Sequence, residues 1–393
     1  MIKIKPTSTQ TARRLLDYLH RRRSAMISLL EKLVLAESPS LVPAAQTEVL
    51  ALLDRALQKR NYRVRHLRGR ETGGHLLAIP GDRRKNVPFQ LLLGHCDTVW
   101  PLGTLTTMPL KVKQGKIYGP GVYDMKAGLV ITIFALEALL ALDIEPEVAP
   151  VILINSDEEI GSRSSRIQIE RLARRADRAF VMEPSLGPAG KLKTQRKGVG
   201  RFTIRVIGKA AHAGLEPEKG ASAILELAAI VQKLFSFNDA EKGITINVGT
   251  IDGGIRPNVI APESKAVVDV RVLRQEDARE IEQKIFSIEP SIPGTQIFVE
   301  GGIGREPMEK TPGNQQLWQL ARSAASELGI EIEQGTAGGG SDGNTTSLWT
   351  PTLDGLGAVG DRAHAPGEFV YLDPTIERSA LLARLLLEPL TVR

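Results

Sequence analysis

Hydrophobic positions recur at helical spacing over residues 12–36 and again over 46–59, so two amphipathic helices are expected, with Ser38-Pro39-Ser40 breaking the chain between them. The apolar runs then shorten. Phe89-Gln90-Leu91-Leu92-Leu93 ends at Gly94, and residues 151–154 and 179–182 form two more short runs, each bounded by polar residues, Gly or Pro. Such runs are expected to be buried strands of a sheet covered on both faces. Between the first two lies 127–142, nearly all apolar and rich in helix formers, which predicts a buried covering helix. Strand, helix, strand in this order gives the α/β class.

From about residue 197 to 305 the pattern becomes that of a self-contained unit. Residues 201–207 alternate as a strand, 221–235 have helical spacing, 245–251 and 265–273 alternate again, 276–288 are helical, and 295–299 form a last strand. The order β-α-β-β-α-β is that of a ferredoxin-like split βαβ unit. It is expected as an insertion, leaving a first half of another domain at 1–196 and its second half at 306–393. In that second half, 315–328 and 375–387 read as helices, with the glycine-dense loop 335–343 between them.

Composition narrows the classes. The chain has 393 residues, 42% hydrophobic and 24% charged, enough for a large core and two or three domains at about 150 residues each. The single cysteine, Cys96, excludes an intramolecular disulfide and a cysteine-built structural zinc site. A formal charge of +6 with Phe 9, Tyr 5 and Trp 3 does not indicate nucleic-acid binding. The start, Met1-Ile2-Lys3-Ile4-Lys5, is followed by Arg13, Arg14, Asp17 and Arg21 to Arg23, which interrupt any leader-like apolar run. No 18-residue apolar stretch occurs, so a cytoplasmic protein with no membrane partner is expected, and Arg21-Arg22-Arg23 reads as a solvated helix face.

The candidate chemistry gathers where open α/β sheets put their sites, at the C-terminal ends of the predicted strands. Gly94-His95-Cys96-Asp97-Thr98-Val99 follows the first strand, and Asp97, two residues on, can hold the His95 ring while its other nitrogen meets a metal. Gly119-Pro120-Gly121-Val122-Tyr123-Asp124 delivers Asp124 to the mouth of the buried helix. Asp157-Glu158-Glu159 follows the strand at 151–154. Adjacent side chains on an extended segment diverge, so one of Glu158 and Glu159 is expected at a metal and the other as a base. Glu183 closes the third strand and His364 lies near the C-terminus. Each has a bland reading alone, as a capped turn, a solvated acid run or a structural pair. Together, two histidines and three carboxylates suit two divalent ions with one carboxylate bridging.

Rival readings are weaker. Gly339-Gly340-Ser341-Asp342-Gly343 fits a G-x-S-x-G elbow, with His364 and Asp354 or Asp361 following, yet no apolar strand precedes Ser341. The glycine run also lacks the Gly-Lys-Ser/Thr ending of a phosphate loop. Cys96 reads as a small apolar filler rather than a nucleophile.

The series from Gly94-His95-Cys96-Asp97 through Asp124-Met125-Lys126, Asp157-Glu158-Glu159, Met182-Glu183-Pro184 and Gly208-Lys209-Ala210-Ala211-His212 to Gly340-Ser341-Asp342 resembles the di-zinc aminoacylase and carboxypeptidase family, which includes acetylornithine deacetylase, succinyl-diaminopimelate desuccinylase and glutamate carboxypeptidase. The likeness is greatest to bacterial glutamate carboxypeptidase. It implies a zinc-exopeptidase-like α/β catalytic domain with a mixed sheet covered by helices, interrupted by a ferredoxin-like lid that dimerises. It implies that Asp124 bridges two Zn2+ ions, with Co2+ or Mn2+ as possible substitutes. His95 and Glu183 would complete one ion, and Glu159 and His364 the other. Asp97 would orient His95, and Glu158 would be the general base acting on a metal-bridging water. The Asp124-Met125 peptide bond is expected to be cis, and His212 to reach the partner subunit's site and stabilise the oxyanion. Lys191, Asn258, Arg271 and Arg305 would contact substrate, arginine forks suiting a carboxylate; Glu333-Gln334-Gly335-Thr336 is less basic than that enzyme's counterpart.

The expected function is therefore hydrolysis of the amide of a peptidyl or N-acyl amino acid bearing a free carboxylate, glutamate foremost, by a homodimer. An N-acyl amino acid deacylase of the acetylornithine type is the enzyme alternative. A metal-free scaffold on the same fold is the non-enzyme alternative.

Overall fold

The computed structural model describes residues 8–83 and 87–390. The leader reading at residues 1–5 lies outside them. The described residues divide into two compact units. The larger comprises residues up to Thr194 together with Lys310–Thr336 and the chain from Ser341 onward; the smaller comprises Gln195–Glu309 and Ala337–Gly340.

In the larger unit a six-stranded sheet runs in the order Tyr62–Leu67, His75–Pro80, Ala149–Asn155, Phe89–His95, Arg178–Val181, Thr352–Leu353. The first two strands pair antiparallel, and the second meets Ala149–Asn155 antiparallel. The remaining neighbours are parallel, so the sheet is mixed. Phe89–His95 is buried along its whole length, as its unbroken apolar run requires of a central strand. Burying each of its leucines contributes about 1.5–3 kcal/mol. Gly94 is needed there, because a Cβ would sit 2.8 Å from the Met125 side chain and 3.0 Å from that of Leu129. The helix Ala127–Ala141 is buried on nearly every face.

One sequence expectation needs correction here. Residues 12–36 form two helices, Ser8–Arg21 and Arg23–Leu35, separated at Arg22, whose backbone (φ −93°, ψ 2°) leaves the helical region. The arginine cluster keeps the solvated face expected of it, with the Arg22 and Arg23 side chains 41% and 39% exposed while Arg22 Nε donates to Glu137 at 2.7 Å and Arg23 pairs with Asp373. Among the described residues, no helix is long and apolar enough to cross a membrane.

The smaller unit is a four-stranded antiparallel sheet in the order Thr245–Gly253, Glu263–Val272, Gly198–Ile207, Gln296–Arg305, with the helices Ala223–Phe235 and Gln275–Phe286. Alternation explains it: Phe202, Ile204, Val206, Val268 and Val270 point into one core with Leu227, Ile230, Ile281 and Ile285 of the two helices. The last strand runs on to Arg305, past the expected end at 299, because Gly301 and Gly302 keep pairing with the neighbouring strand.

Candidate metal centre

Strand ends deliver the ligand-type side chains of the larger unit. His95 ends Phe89–His95, Glu158 and Glu159 form a short turn after Ala149–Asn155, and Glu183 lies two residues beyond Arg178–Val181. Asp124 comes from the segment before the buried helix, and its peptide bond to Met125 is cis, as expected. His364 sits at φ +58° on the loop between the short paired strands Gly360–Asp361 and Phe369–Tyr371.

These groups converge in an ordered way. Asp124 Oδ1 lies 3.2 Å from His95 Nε2, and His95 Nε2 lies 3.5 Å from Glu183 Oε1. On the other side, Asp124 Oδ2 lies 3.3 Å from His364 Nε2, which lies 3.1 Å from Glu159 Oε2. Each oxygen of one carboxylate therefore faces a different histidine-glutamate pair. Glu158 approaches the first set: one donor atom each of His95, Glu158 and Glu183 lie within 4.8 Å of one another. Glu158 and Glu159 do diverge, but on a helical turn, Glu158–Ile160, rather than on the extended segment the sequence suggested.

Asp97 holds this arrangement from behind. His95 Nδ1 lies 3.0 Å from the Asp97 backbone carbonyl and 3.3 Å from its carboxylate, which accepts from the Ser40 hydroxyl at 2.6 Å and from the backbone N–H groups of Glu158 and Glu159 at 3.3 and 3.2 Å. One buried acid thus fixes both the histidine and the acidic turn. The electrostatics follow from crowding. Burial pushes the Glu159 carboxyl up to about 7. Hydrogen bonds to Asp124 and Glu159 raise His364 to about 10. Burial alone would raise Asp124, yet hydrogen bonds with His364 and His95 hold it well below the ordinary carboxylate range.

The donor set fits a pair of divalent cations. Imidazole and carboxylate donors suit borderline ions, and Glu159 Oε1 is buried with no hydrogen-bond partner, an orphan acceptor that a cation would satisfy. Cys96 is fully buried and burial pushes its thiol up, which suits filler rather than a nucleophile. Ser341 is a helix cap: its hydroxyl accepts from Gly343 N–H at 3.0 Å and donates to Asp354 at 2.6 Å. Asp342 beside it receives the Asn155 amide at 2.5 Å and the Ser162 hydroxyl, bracing the strand end before the acidic turn.

The remaining expected site residues are differently placed. Lys191, in the larger unit, pairs with Glu333 at 2.6 Å. Arg271, in the smaller unit, is bound by Asp269 through two contacts at 2.8 and 3.0 Å, so it is not the solvated charge its strand-end position could suggest. Arg271 and Arg305 both stand opposite Val199, at one end of the smaller sheet. His212 and Asn258 lie beyond the other end, where the His212 segment bridges to Val259 and Ala213 N–H donates to the Asn258 carbonyl at 3.0 Å. Sequence reasoning missed Ser40, Trp100 and Glu368. Trp100 Nε1 donates to Glu368 at 2.7 Å, and Glu368 also accepts from backbone N–H groups of the Asp124 segment. The one signal for it was an isolated acid four residues after His364.

Residues 91–388 match the model of peptidase family M20/M25/M40. The chain belongs to that family. Carboxypeptidase G2 of Pseudomonas sp. (strain RS-16) is 30% identical over 318 residues, covering 79% of this chain and 75% of that protein. Succinyl-diaminopimelate desuccinylase of Acidovorax ebreus is 29% identical over 331 residues, covering 79% and 82%. In fold, the aminopeptidase PepT of Bacillus cereus superposes with a TM-score of 0.77 at 19% identity, covering 93% of this chain and 98% of that one. As an M20/M25/M40 member the chain is a metal-dependent hydrolase of the metallopeptidase class, which sets aside the metal-free scaffold reading.

Proposed function

We propose that this M20/M25/M40 member is a homodimeric di-zinc enzyme that cleaves the amide of a peptidyl or N-acyl amino acid carrying a free carboxylate, with glutamate the leading side chain. The observation that carries the proposal is the division of Asp124, one oxygen toward His95 and Glu183 and the other toward His364 and Glu159. Those five residues would hold two ions, which when bound polarise the scissile carbonyl and bring the pKa of water toward neutrality. Glu158 would take the proton from the attacking water and deliver it to the departing amine. Asp97 keeps His95 and the Glu158 turn in register.

His212 would donate a hydrogen bond to the developing oxyanion. Its Nδ1 accepts from the backbone N–H groups of Gly214 and Leu215, both at 3.2 Å, so in the neutral ring the proton sits on Nε2. That tautomer is the one a donor requires. The strands between the Arg271 end and the His212 end span about 30 Å at 3.3 Å per residue, and the smaller unit's chain connections, Gln195 and Glu309, are close in sequence to the Arg271 end. That separation sets His212 and Asn258 apart from Arg271 and Arg305 within the smaller unit, and His212 would reach the partner subunit's site as the resemblance implies. Exposed Leu225 (63%), Ile251 (62%) and Ile255 (69%), with the edge strand Thr245–Gly253, support the smaller unit as the dimer contact.

A second reading, N-acyl amino acid deacylation, is favoured by relatives named acetylornithine deacetylase and succinyl-diaminopimelate desuccinylase. Release of free amino acid from a panel of α- and γ-peptidyl glutamates and N-acyl amino acids, with zinc-, manganese- and cobalt-loaded protein, separates them. Glutamate release from peptidyl substrates is the expected result; exclusive action on acetyl or succinyl amides gives the deacylase reading, and no release from any carboxylate-bearing amide refutes both.

A further inference from the structure

The loops that carry Asp124 and His364 have no covalent reason to keep the spacing just described, and both meet at one buried side chain. Glu368 follows the His364 loop and enters the strand Phe369–Tyr371 with no exposed surface. Its Oε1 accepts from the backbone N–H of Tyr123 at 2.7 Å and of Asp124 at 3.0 Å; its Oε2 accepts from the backbone N–H of Gly121 at 2.8 Å and from Trp100 Nε1 at 2.7 Å. Its own carbonyl accepts from Gly119 N–H at 3.2 Å. Burial raises the pKa of this carboxyl, and the four side-chain hydrogen bonds oppose that shift. Gly121 makes the convergence possible: at φ +68° its N–H turns inward, and a Cβ there would lie 2.4 Å from Thr98.

We infer that Glu368 is a positioning residue that sets the separation of the Asp124 and His364 side chains, by tying the 119–124 segment and the Trp100 loop to the strand that follows His364. The inference rests on the reading of Asp124 and His364 as ligands of one metal centre. Glu368 acts through the backbone, on the N–H of Asp124 and on those of Gly121 and Tyr123 before it. A carboxylate is the required group, because all four partners are donors. An amide in its place keeps an acceptor for two of them and turns an NH2 toward the other two.

The test uses the full chain carrying Glu368→Gln and, separately, Trp100→Phe. Zinc affinity is read by competition with a chromophoric chelator, turnover by kcat and KM, and backbone opening by hydrogen exchange of the 98–102 and 119–126 segments. For Glu368→Gln we expect zinc affinity to fall 10–100-fold, kcat to fall with KM within about twofold because no substrate contact is lost, and faster exchange confined to those segments. Trp100→Phe removes one donor and leaves the three backbone bonds, so it should lose only a few-fold in zinc affinity, and it decides the matter if Glu368→Gln fails to fold: zinc affinity and exchange of 119–126 both unchanged in Trp100→Phe then overturn the inference. A folded Glu368→Gln with wild-type zinc affinity and exchange also overturns it. Failure of the metal reading looks different, since the wild type would then bind no zinc while Glu368→Gln still opened 119–126.

Discussion

The two units solve the problem of holding functional side chains in opposite ways. In the larger unit, His95, Asp97, Asp124, Glu159 and Glu183 are largely buried, and the buried Asp97 carboxylate ties His95 to the acidic turn; of the expected ligands only His364 is about half exposed, on its loop. In the smaller unit, His212 and Asn258 are exposed on a turn, and Arg271 and Arg305 stand at the other end of a sheet ten residues long. A metal centre tolerates little error in distance, so it is built inside one packed core. Groups proposed to meet a substrate lie on the surface of the smaller unit instead.

The sharpest way to break this contrast is at Asp124. Asp124→Asn removes the charge that both histidines face, so zinc content should drop below two per chain and kcat should fall by at least about 10³-fold, the scale seen when a major source of transition-state charge stabilisation is removed. Metal analysis by mass spectrometry and a turnover assay check it; two tightly held ions in the variant would mean that the cluster is not organised around this residue. His212→Ala probes the other region. There kcat should fall by about 10²–10³-fold with two zinc ions retained. Co-expressing His212→Ala and Asp124→Asn chains should restore turnover in mixed dimers, since one site then has both an intact metal set and an intact partner histidine. No recovery in isolated mixed dimers would confine His212 to its own subunit.

How much was legible in the sequence follows the same division. His95, the Glu158-Glu159 pair and Glu183 could be read because they follow short apolar runs, and such runs become central strands whatever lies elsewhere; the α/β class and the β-α-β-β-α-β order were legible for the same reason, whereas Asp124, before the buried helix, and His364, on a loop, stood out only in combination with the others. Glu368 could not be read: its bond to Trp100 joins residues 268 positions apart, and no local period encodes that. The strand Tyr62–Leu67 escaped because it is an edge strand whose outer face carries Arg63 and Arg65, so its alternation looks like a charged loop. The break at Arg22 escaped because it leaves the apolar spacing intact on either side. The expected substrate-binding residues came from resemblance, and the acids that engage two of them, Glu333 and Asp269, carry no pattern of their own.

The smaller unit does contain one site built like those of the larger, and it offers the mildest test. Glu226, on the helix Ala223–Phe235, is buried and accepts from Ser291 N–H at 3.0 Å, Ile292 N–H at 2.7 Å and the hydroxyls of Ser291 and Thr295 at 3.0 and 3.1 Å. Burial by itself would raise this carboxyl, but the donors from the 291–295 turn outweigh it and hold the pKa below the ordinary glutamate value. The ionised form is therefore the one the fold prefers. Its stabilisation is complete above the unfolded-state pKa of about 4.3 and is lost as the pH falls through the lower folded value. Glu226→Gln should cost about 1–3 kcal/mol near neutral pH, and the difference from wild type should shrink below pH 4, measured by denaturant unfolding across pH. Zinc content and kcat should not change, because the bonds of Glu226 stay within the smaller unit. A loss of metal in this variant would show that the 291–295 turn held by Glu226 bears on the metal centre.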